Sequence, residues 1–339
     1  MKNNLKAVIY AMAAALFYAL NIPLSKLLLG NVEPVFMAAF LYFGAGLGVG
    51  IIYMLNRDDG HKKLAKSDLP YVIGMILLDS MAPIFLMAGV KSGTSSGAAL
   101  IGNFEIAATA LFAMMLFHEK ISVLLWLAIG LITLSGLIIS YDGGEIWLFS
   151  RGSLLVAAAT LCWGLENNCT RNISDKNTYQ IVTVKGIFSG LCSLVTAFLI
   201  RERVPDLIYI FPALLLGFVA YGLSIFTYIR AQEYIGAAKT SAYYAAAPFI
   251  SAVLSFLILN EAVSANYIAA FLIMLTGTVL VICDTMRQSH SHEHSHVFFH
   301  VHGGVLHTHV ISHAHKHNHY FNINQHKHKH TLKEMESYL

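Results

Sequence analysis

Ten apolar segments dominate this sequence. They cover about residues 6–29, 34–55, 70–90, 95–117, 121–141, 152–171, 180–200, 206–229, 238–259 and 265–285. Each meets or approaches the ~20 mostly apolar residues a helix needs to cross a hydrocarbon core. The runs are continuous rather than alternating, which excludes a spanning β-barrel. Helices are then the only way to satisfy the backbone in lipid, so the chain reads as an all-α, multi-pass protein of the cell membrane. Composition agrees. Of 339 residues, 56% are hydrophobic and 12% charged, about half the ~25% charge of a soluble domain. That rules against a soluble enzyme. A net charge of +3 without a basic stripe rules against a nucleic-acid binder. The four cysteines (Cys162, Cys169, Cys192, Cys283) lie in apolar stretches and read as small buried thiols.

The breaks carry loop chemistry. Pro34, Pro70 and Pro205 sit near segment starts, where a missing N–H costs nothing. Lys2 and Lys6 before an apolar run imitate a signal peptide, but the run continues through Leu29, so an uncleaved first helix is expected. Lysine and arginine set the orientation. With a cytoplasmic N-terminus and the tail left out, ten fall on the cytoplasmic side and four outside. Ten spans return the C-terminus to the cytoplasm.

The chain also repeats itself. Phe117-His-Glu119-Lys-Ile-Ser122 precedes a span containing Leu134-Ser-Gly136, and Leu259-Asn-Glu261-Ala-Val-Ser264 precedes one containing Leu275-Thr-Gly277. A helix rich in small residues leads into each motif, Gly93–Leu116 and Gly236–Ile258. Two halves of five spans follow, 1–141 and 151–286. Five is odd, so the second half is inverted, an arrangement that transporters use for alternating access about a midplane site.

On these residues the sequence resembles the EamA family of the drug/metabolite transporter superfamily, over about residues 6–286. The resemblance implies a pocket among spans 1–4 and 6–9, with spans 5 and 10 as flanking scaffold. One departure stands out. Span 9 has Pro248, whereas the equivalent position in span 4 is Ile106, beside Glu105. The first-half helix is therefore expected to carry an acid in place of a proline kink.

A charge inside a span costs roughly 2.5–3.5 kcal/mol on insertion scales, so each needs a reason. Asp79 lies mid-span 3, Glu105 mid-span 4, Glu166 in span 6 and Lys185 in span 7. Lys26 and Lys239 lie nearer span ends and read as snorkelling. Asn103 precedes Glu105 by two residues. Trp163, Glu166 and Asn167 share a helix face at i, i+3 and i+4. Together they suit a polar metabolite, a proton or a cation; the bland reading is a structural ion pair, with Lys185 the nearest cation for Glu166. Pro23, Pro83 and Pro248 interrupt spans, and carbonyls freed there are tolerated where they line a cavity. Asn21, Tyr221, Tyr243 and Tyr244 complete the candidate binding set. Gly44, Gly46, Gly48, Gly50, Gly186 and Gly190 form small-residue faces for close helix packing.

From residue 287 the composition changes abruptly. Fifteen of the 17 histidines lie in this tail: His290, His292, His294, His296, His300, His302, His307, His309, His313, His315, His317, His319, His326, His328 and His330. Neutral imidazole is a common ligand of zinc, nickel or cobalt. The tail (287–339) is expected to be disordered and to bind such a divalent metal, with a hairpin suggested at Gly303-Gly304.

Three functions fit. The first is a secondary carrier of a small polar metabolite with a metal-binding tail. The second is a divalent-metal carrier with the tail as buffer or sensor; His118 is the one histidine near a span, which counts against it. The third is a membrane metal-binding protein that transports nothing. No nucleotide-binding loop occurs, so a gradient would drive transport. No enzymatic role and no required cofactor are expected. The expected partners are the lipid bilayer, a small-molecule substrate and metal ions, with the chain a monomer or homodimer.

Overall fold

The computed structural model of the chain describes residues 2–55, 62–117, 122–140, 150–173, 176–235, 240, 243–286, 288–302 and 305–319. It divides into two units, Met1–Ile282 and Cys283–Leu339. The first is helical. Its elements are α1 (Lys2–Ala19), α2 (Asn21–Leu28), α3 (Pro34–Leu55), α4 (Leu69–Ser92), α5 (Ser95–Ile101), α6 (Phe104–Phe117), α7 (Val123–Ser140), α8 (Arg151–Arg171), α9 (Thr178–Leu199), α10 (Leu207–Gly217), a π turn (Phe218–Leu223), α11 (Ser224–Ile235), α12 (Ala247–Leu259) and α13 (Ala265–Met286).

Among the described residues, seven helical stretches are long and apolar enough to cross a bilayer, and α7 and α12 are apolar but shorter. The α8 helix is 21 residues long but is not among the seven. Its last two turns carry Glu166, Asn167, Asn168 and Thr170, which the site uses.

Several spans are interrupted. Span 1 breaks at Leu20, and Pro23 falls in the first turn of the restarted α2. Pro248 likewise opens α12. Both prolines sit where a missing N–H is harmless. Pro83, in contrast, lies inside the unbroken α4. Span 4 breaks too, between α5 and α6 at Gly102–Asn103, without any proline. As expected from Ile106, no proline kinks this helix and it carries an acid; the break itself, which was not foreseen, falls at a glycine and an asparagine, both poor helix formers. Glu105 then occupies the first turn of α6, where the partial positive charge of a helix start favours an acid.

Small residues set the packing. The α3 helix lies against α9 and α10. A Cβ placed on Gly186 would meet the backbone of Gly46, and one on Gly217 would meet the carbonyl of Leu41. Of the predicted glycine faces, Gly44, Gly46 and Gly186 meet facing backbone, whereas Gly48, Gly50 and Gly190 pack on the side chains of Phe218, Thr183 and Phe43. Elsewhere, the Ser135 hydroxyl of α7 donates to the Ala270 carbonyl of α13 at 2.6 Å, and Gly277 of α13 faces Ile132 of α7. The two halves also meet between α5 and α12, where the Ser95 and Ser255 hydroxyls lie 2.8 Å apart.

Lys26 does more than reach for water. Its ammonium donates to the carbonyls of Val90 (2.5 Å) and Gly93 (2.6 Å). It thereby satisfies acceptors that the end of α4 leaves without intrahelical partners.

In the second unit the suggested hairpin pairing, rather than disorder, holds over the two strands. Strand β1 (Gln288–His302) pairs antiparallel with β2 (Val305–His319), from Gln288↔His319 to His302↔Val305. The reason is legible in hindsight: residues alternate with period two on both sides of a Gly-Gly step, and Val, Phe and Ile flank it. The two strands are described by their backbone pairing. Their twelve histidines lie within it; His326, His328 and His330 lie outside the described residues, as do Lys239, His118 and Gly303-Gly304.

Candidate functional site

At the centre of the helical unit, Lys185 of α9 bridges two carboxylates. Its ammonium lies 2.9 Å from Asp79 Oδ2 of α4 and 3.1 Å from Glu166 Oε1 of α8. Asp79 is fully buried and Glu166 is 2% exposed, while the Lys185 side chain keeps 18% exposure. Each carboxylate has further support. The Tyr42 hydroxyl of α3 donates to Asp79 Oδ1 at 2.8 Å, and Trp163 Nε1 donates to that hydroxyl at 3.4 Å. The Thr170 hydroxyl, one turn beyond Glu166, donates to Glu166 Oε1. Buried charge is tolerated only with such pairing and hydrogen bonding.

A third acid adjoins this network through α8. Asn167 Nδ2 donates to Glu105 Oε1 (2.8 Å) and to the Thr109 hydroxyl (3.1 Å) of α6. Asn168 Nδ2 donates to the Thr109 carbonyl (3.1 Å) and to Gly164 O (2.8 Å), fastening α8 to α6. Among the described residues, no cation lies within ion-pair distance of Glu105. Three carboxylates therefore face one ammonium, and the fully ionised cluster would hold an excess of two negative charges.

Tyrosines form the adjoining wall. Asn21 Nδ2 donates to the Tyr221 hydroxyl at 3.1 Å, and the Ser25 hydroxyl donates to Asn21 Oδ1 at 3.1 Å. Tyr221 sits in the π turn, a distortion frequent at functional sites. Its ring centroid lies 5.4 Å from that of Tyr42 and 5.9 Å from that of Tyr18. Tyr18 also packs on Tyr244 at 5.8 Å, and Tyr244 on Tyr228 at 5.1 Å.

The structure thus brings together Asn21, Asp79, Glu105, Trp163, Glu166, Asn167, Lys185, Tyr221 and Tyr244 in one connected region. It draws on spans 1–4 and 6–9, and none of these residues comes from α7 or α13. Asn103 is buried at the break in span 4, with its amide nitrogen lacking a hydrogen-bond partner. Tyr243 stands apart, 39% exposed. The face shared by Trp163, Glu166 and Asn167 splits three ways, toward Tyr42, Lys185 and Glu105. Sequence reasoning missed Tyr42, Thr109, Thr170 and Tyr18. A lone tyrosine in the otherwise apolar run Phe36–Phe43 was the available signal for Tyr42.

A separate cavity of about 340 Å³ opens among α4, α5, α7 and α8, lined by Gly89, Gly93, Thr94, Gly97, Gly152 and Ser153 among others. No buried charged residue lines it. Among the described residues of the helical unit, no group of three or more His, Cys, Asp or Glu side chains is placed to hold a metal.

Two halves of broken helices around a buried, charged midsection define a multi-pass membrane transporter. Matches to the EamA-like transporter family cover residues 5–141 and again 150–283, and the chain belongs to that family. Two curated relatives carry compatible names. An "Uncharacterized transporter" of Methanothermobacter thermautotrophicus is 25% identical over 286 residues, covering 79% of this chain and 83% of that protein. The "Uncharacterized transporter YyaM" of Bacillus subtilis is 22% identical over 284 residues, covering 80% and 92%. A solved chain described only as "Crystal structure of protein" shares the fold, with a TM-score of 0.61, 16% identity, and coverage of 81% of this chain and 95% of that one.

Proposed function

We propose that this chain is a gradient-driven secondary transporter of a small polar metabolite. It works by alternating access across ten spans arranged as two inverted five-helix repeats, with both termini cytoplasmic. The observation that carries the reading is the Asp79–Lys185–Glu166 bridge with Asn167–Glu105 beside it. Charges at that depth are expensive, and these are drawn from four different helices of both halves. Amides, carboxylates, an ammonium and tyrosine hydroxyls in one place offer both donors and acceptors to a polar cargo. The carboxylate surplus favours a site that takes up protons or a cationic group along with that cargo. The tail adds cytoplasmic metal binding as a buffer or sensor, separate from the transport path.

The test is transport in proteoliposomes under an imposed proton gradient, with metabolites from a cell extract profiled by mass spectrometry inside and out. Glu105→Gln and Glu166→Gln should each abolish movement of the cargo while leaving folded protein in the vesicles. Normal transport by both variants would overturn the assignment. Movement of nickel, cobalt or zinc in place of metabolites would install the metal-carrier reading.

A further inference from the structure

The tail's histidines keep a phase that bulk metal affinity does not require. From His290 to His302 all six stand at even positions; from His307 to His319 all six stand at odd positions. The parity changes across Gly303-Gly304. An antiparallel hairpin with a two-residue connection demands this change if all the histidines are to share one face, because directly opposed residues lie on the same side. The observed register supplies the match: His290↔His317, His292↔His315, His294↔His313 and His300↔His307 are opposed pairs. His296, His302, His309 and His319 occupy positions of the same face, opposite Ile311, Val305, Phe298 and Gln288. The other face differs in kind. Near the connection it holds Val297, Phe299, Val301, Leu306 and Val310; farther out come Ser, Glu, Lys and Asn.

We propose that this hairpin face forms two discrete sites for a divalent ion of the zinc, nickel and cobalt class. The first is built on His290, His292, His315 and His317, and the second on the His300↔His307 rung with either His302 or His309. The inference rests on the metal-binding reading of the tail and adds to it an arrangement. Opposed positions stand about 4.5–5.5 Å apart, and same-face neighbours along a strand about 7 Å. The first quartet is therefore a compact rectangle of four positions, matching the four ligands that zinc takes in closed sites, whereas His302 and His309 flank the His300↔His307 rung on opposite sides, so that rung gains one of them at a time and offers three ligands. The pair His294↔His313 extends the first quartet by one further rung. Binding fixes the register, because slipping one residue would send one strand's histidines to the other face. The metal thereby folds the hairpin as it binds.

The experiment is zinc titration of the purified full chain in detergent, by equilibrium dialysis and elemental mass spectrometry. Three other chains are titrated alongside. One stops after residue 287. One carries Ser291→His with His292→Ser and Ala314→His with His315→Ala, which keeps every histidine but moves two to the other face. One carries Gln325→His with His326→Gln, outside the paired strands. Two ions per chain are expected for the full chain and for the last variant. The double exchange should weaken the tighter binding at least tenfold or remove one ion. If the double exchange binds like the full chain, histidine density alone holds the metal and the two-site face is wrong. If the truncated chain binds as much zinc as the full one, the metal-binding reading of the tail fails as well.

Discussion

Glu261, in the second repeat, closes the start of a helix in the first: its Oε1 lies 2.6 Å from the backbone nitrogen of Ser95, and its other oxygen 2.9 Å from that of Ser96. The first N–H groups of a helix have no intrahelical acceptor, and a carboxylate from another segment supplies one here. This acid belongs to the second copy of the repeated motif, so in that copy the motif acts as an inter-repeat cap; Glu119 of the first copy lies outside the described residues. Glu261→Ala strands two donors and should lower stability by about 1–3 kcal/mol. Glu261→Gln keeps an acceptor and should cost less. Thermal unfolding in detergent ranks the three chains, and equal midpoints would remove the cap's role.

Removing the bridge's cation should be worse than removing one of its acids. Lys185→Met leaves Asp79 and Glu166 facing each other uncompensated, and breaking a buried pair typically costs about 3–5 kcal/mol. The residual exposure of Lys185 puts the expected loss at the lower end. Adding Glu166→Gln to Lys185→Met removes one stranded charge and should recover part of it. Fluorescence-detected size exclusion after a heat step measures the fraction folded. A double variant no better than Lys185→Met would break the argument.

Glycine substitutions should divide by location. Gly186→Leu and Gly217→Leu drive side chains into the facing backbone of α3, an overpacking that costs about 1–3 kcal/mol or more. Nothing lies within 4 Å of a Cβ on Gly136, so Gly136→Ala should be neutral or stabilise α7 by about 0.5–1 kcal/mol. Expression and melting midpoint of the three variants decide it. The repeat partner of Gly136 is Gly277, which does face a neighbour.

Stability should also respond to pH through Glu202. This loop carboxylate accepts from Val35 N at 3.1 Å and Phe36 N at 3.0 Å at the start of α3. Burial raises its pKa, and the backbone hydrogen bonds offset only part of that. The folded state thus holds the proton to higher pH than the unfolded one does. Its stabilising contribution is full below the unfolded value and declines as pH rises through the window up to the raised native value. A melting curve series from acid to neutral pH should show this decline, and Glu202→Gln should flatten it. An unchanged slope in the variant would assign the pH response to another group.

Much of this was legible in the residues. Apolar length located the helices because burial in lipid leaves the backbone no alternative. Asp79, Glu105, Glu166 and Lys185 announced themselves through the cost of charge at depth. Partnership was harder to read. Lys185 was expected to pair with Glu166, yet it is equally engaged with Asp79, over a hundred residues away in sequence. That depends on how α4, α8 and α9 pack, which periodicity along one helix does not encode. Lys26 read as a snorkelling cation because its acceptors belong to the end of another helix. The break in span 4 escaped notice because proline was the signal sought, and Gly102–Asn103 served instead. The tail carried two signals: its polar composition suggested disorder, while its alternation about Gly303-Gly304 suggested the hairpin, and the strands pair.

The restart of span 4 at Phe104 has a consequence for how the site can be loaded and emptied. Glu105 stands at the head of a fresh half-helix, among backbone N–H groups that still lack intrahelical acceptors. Fixed peptide dipoles and the Asn167 amide face its carboxylate, and among the described residues no ammonium lies within ion-pair distance. A resident counter-ion would have to be displaced by every arriving cargo. On the proposed transport reading, a cationic cargo reaching Glu105 would meet no ammonium among the described residues that it first had to displace.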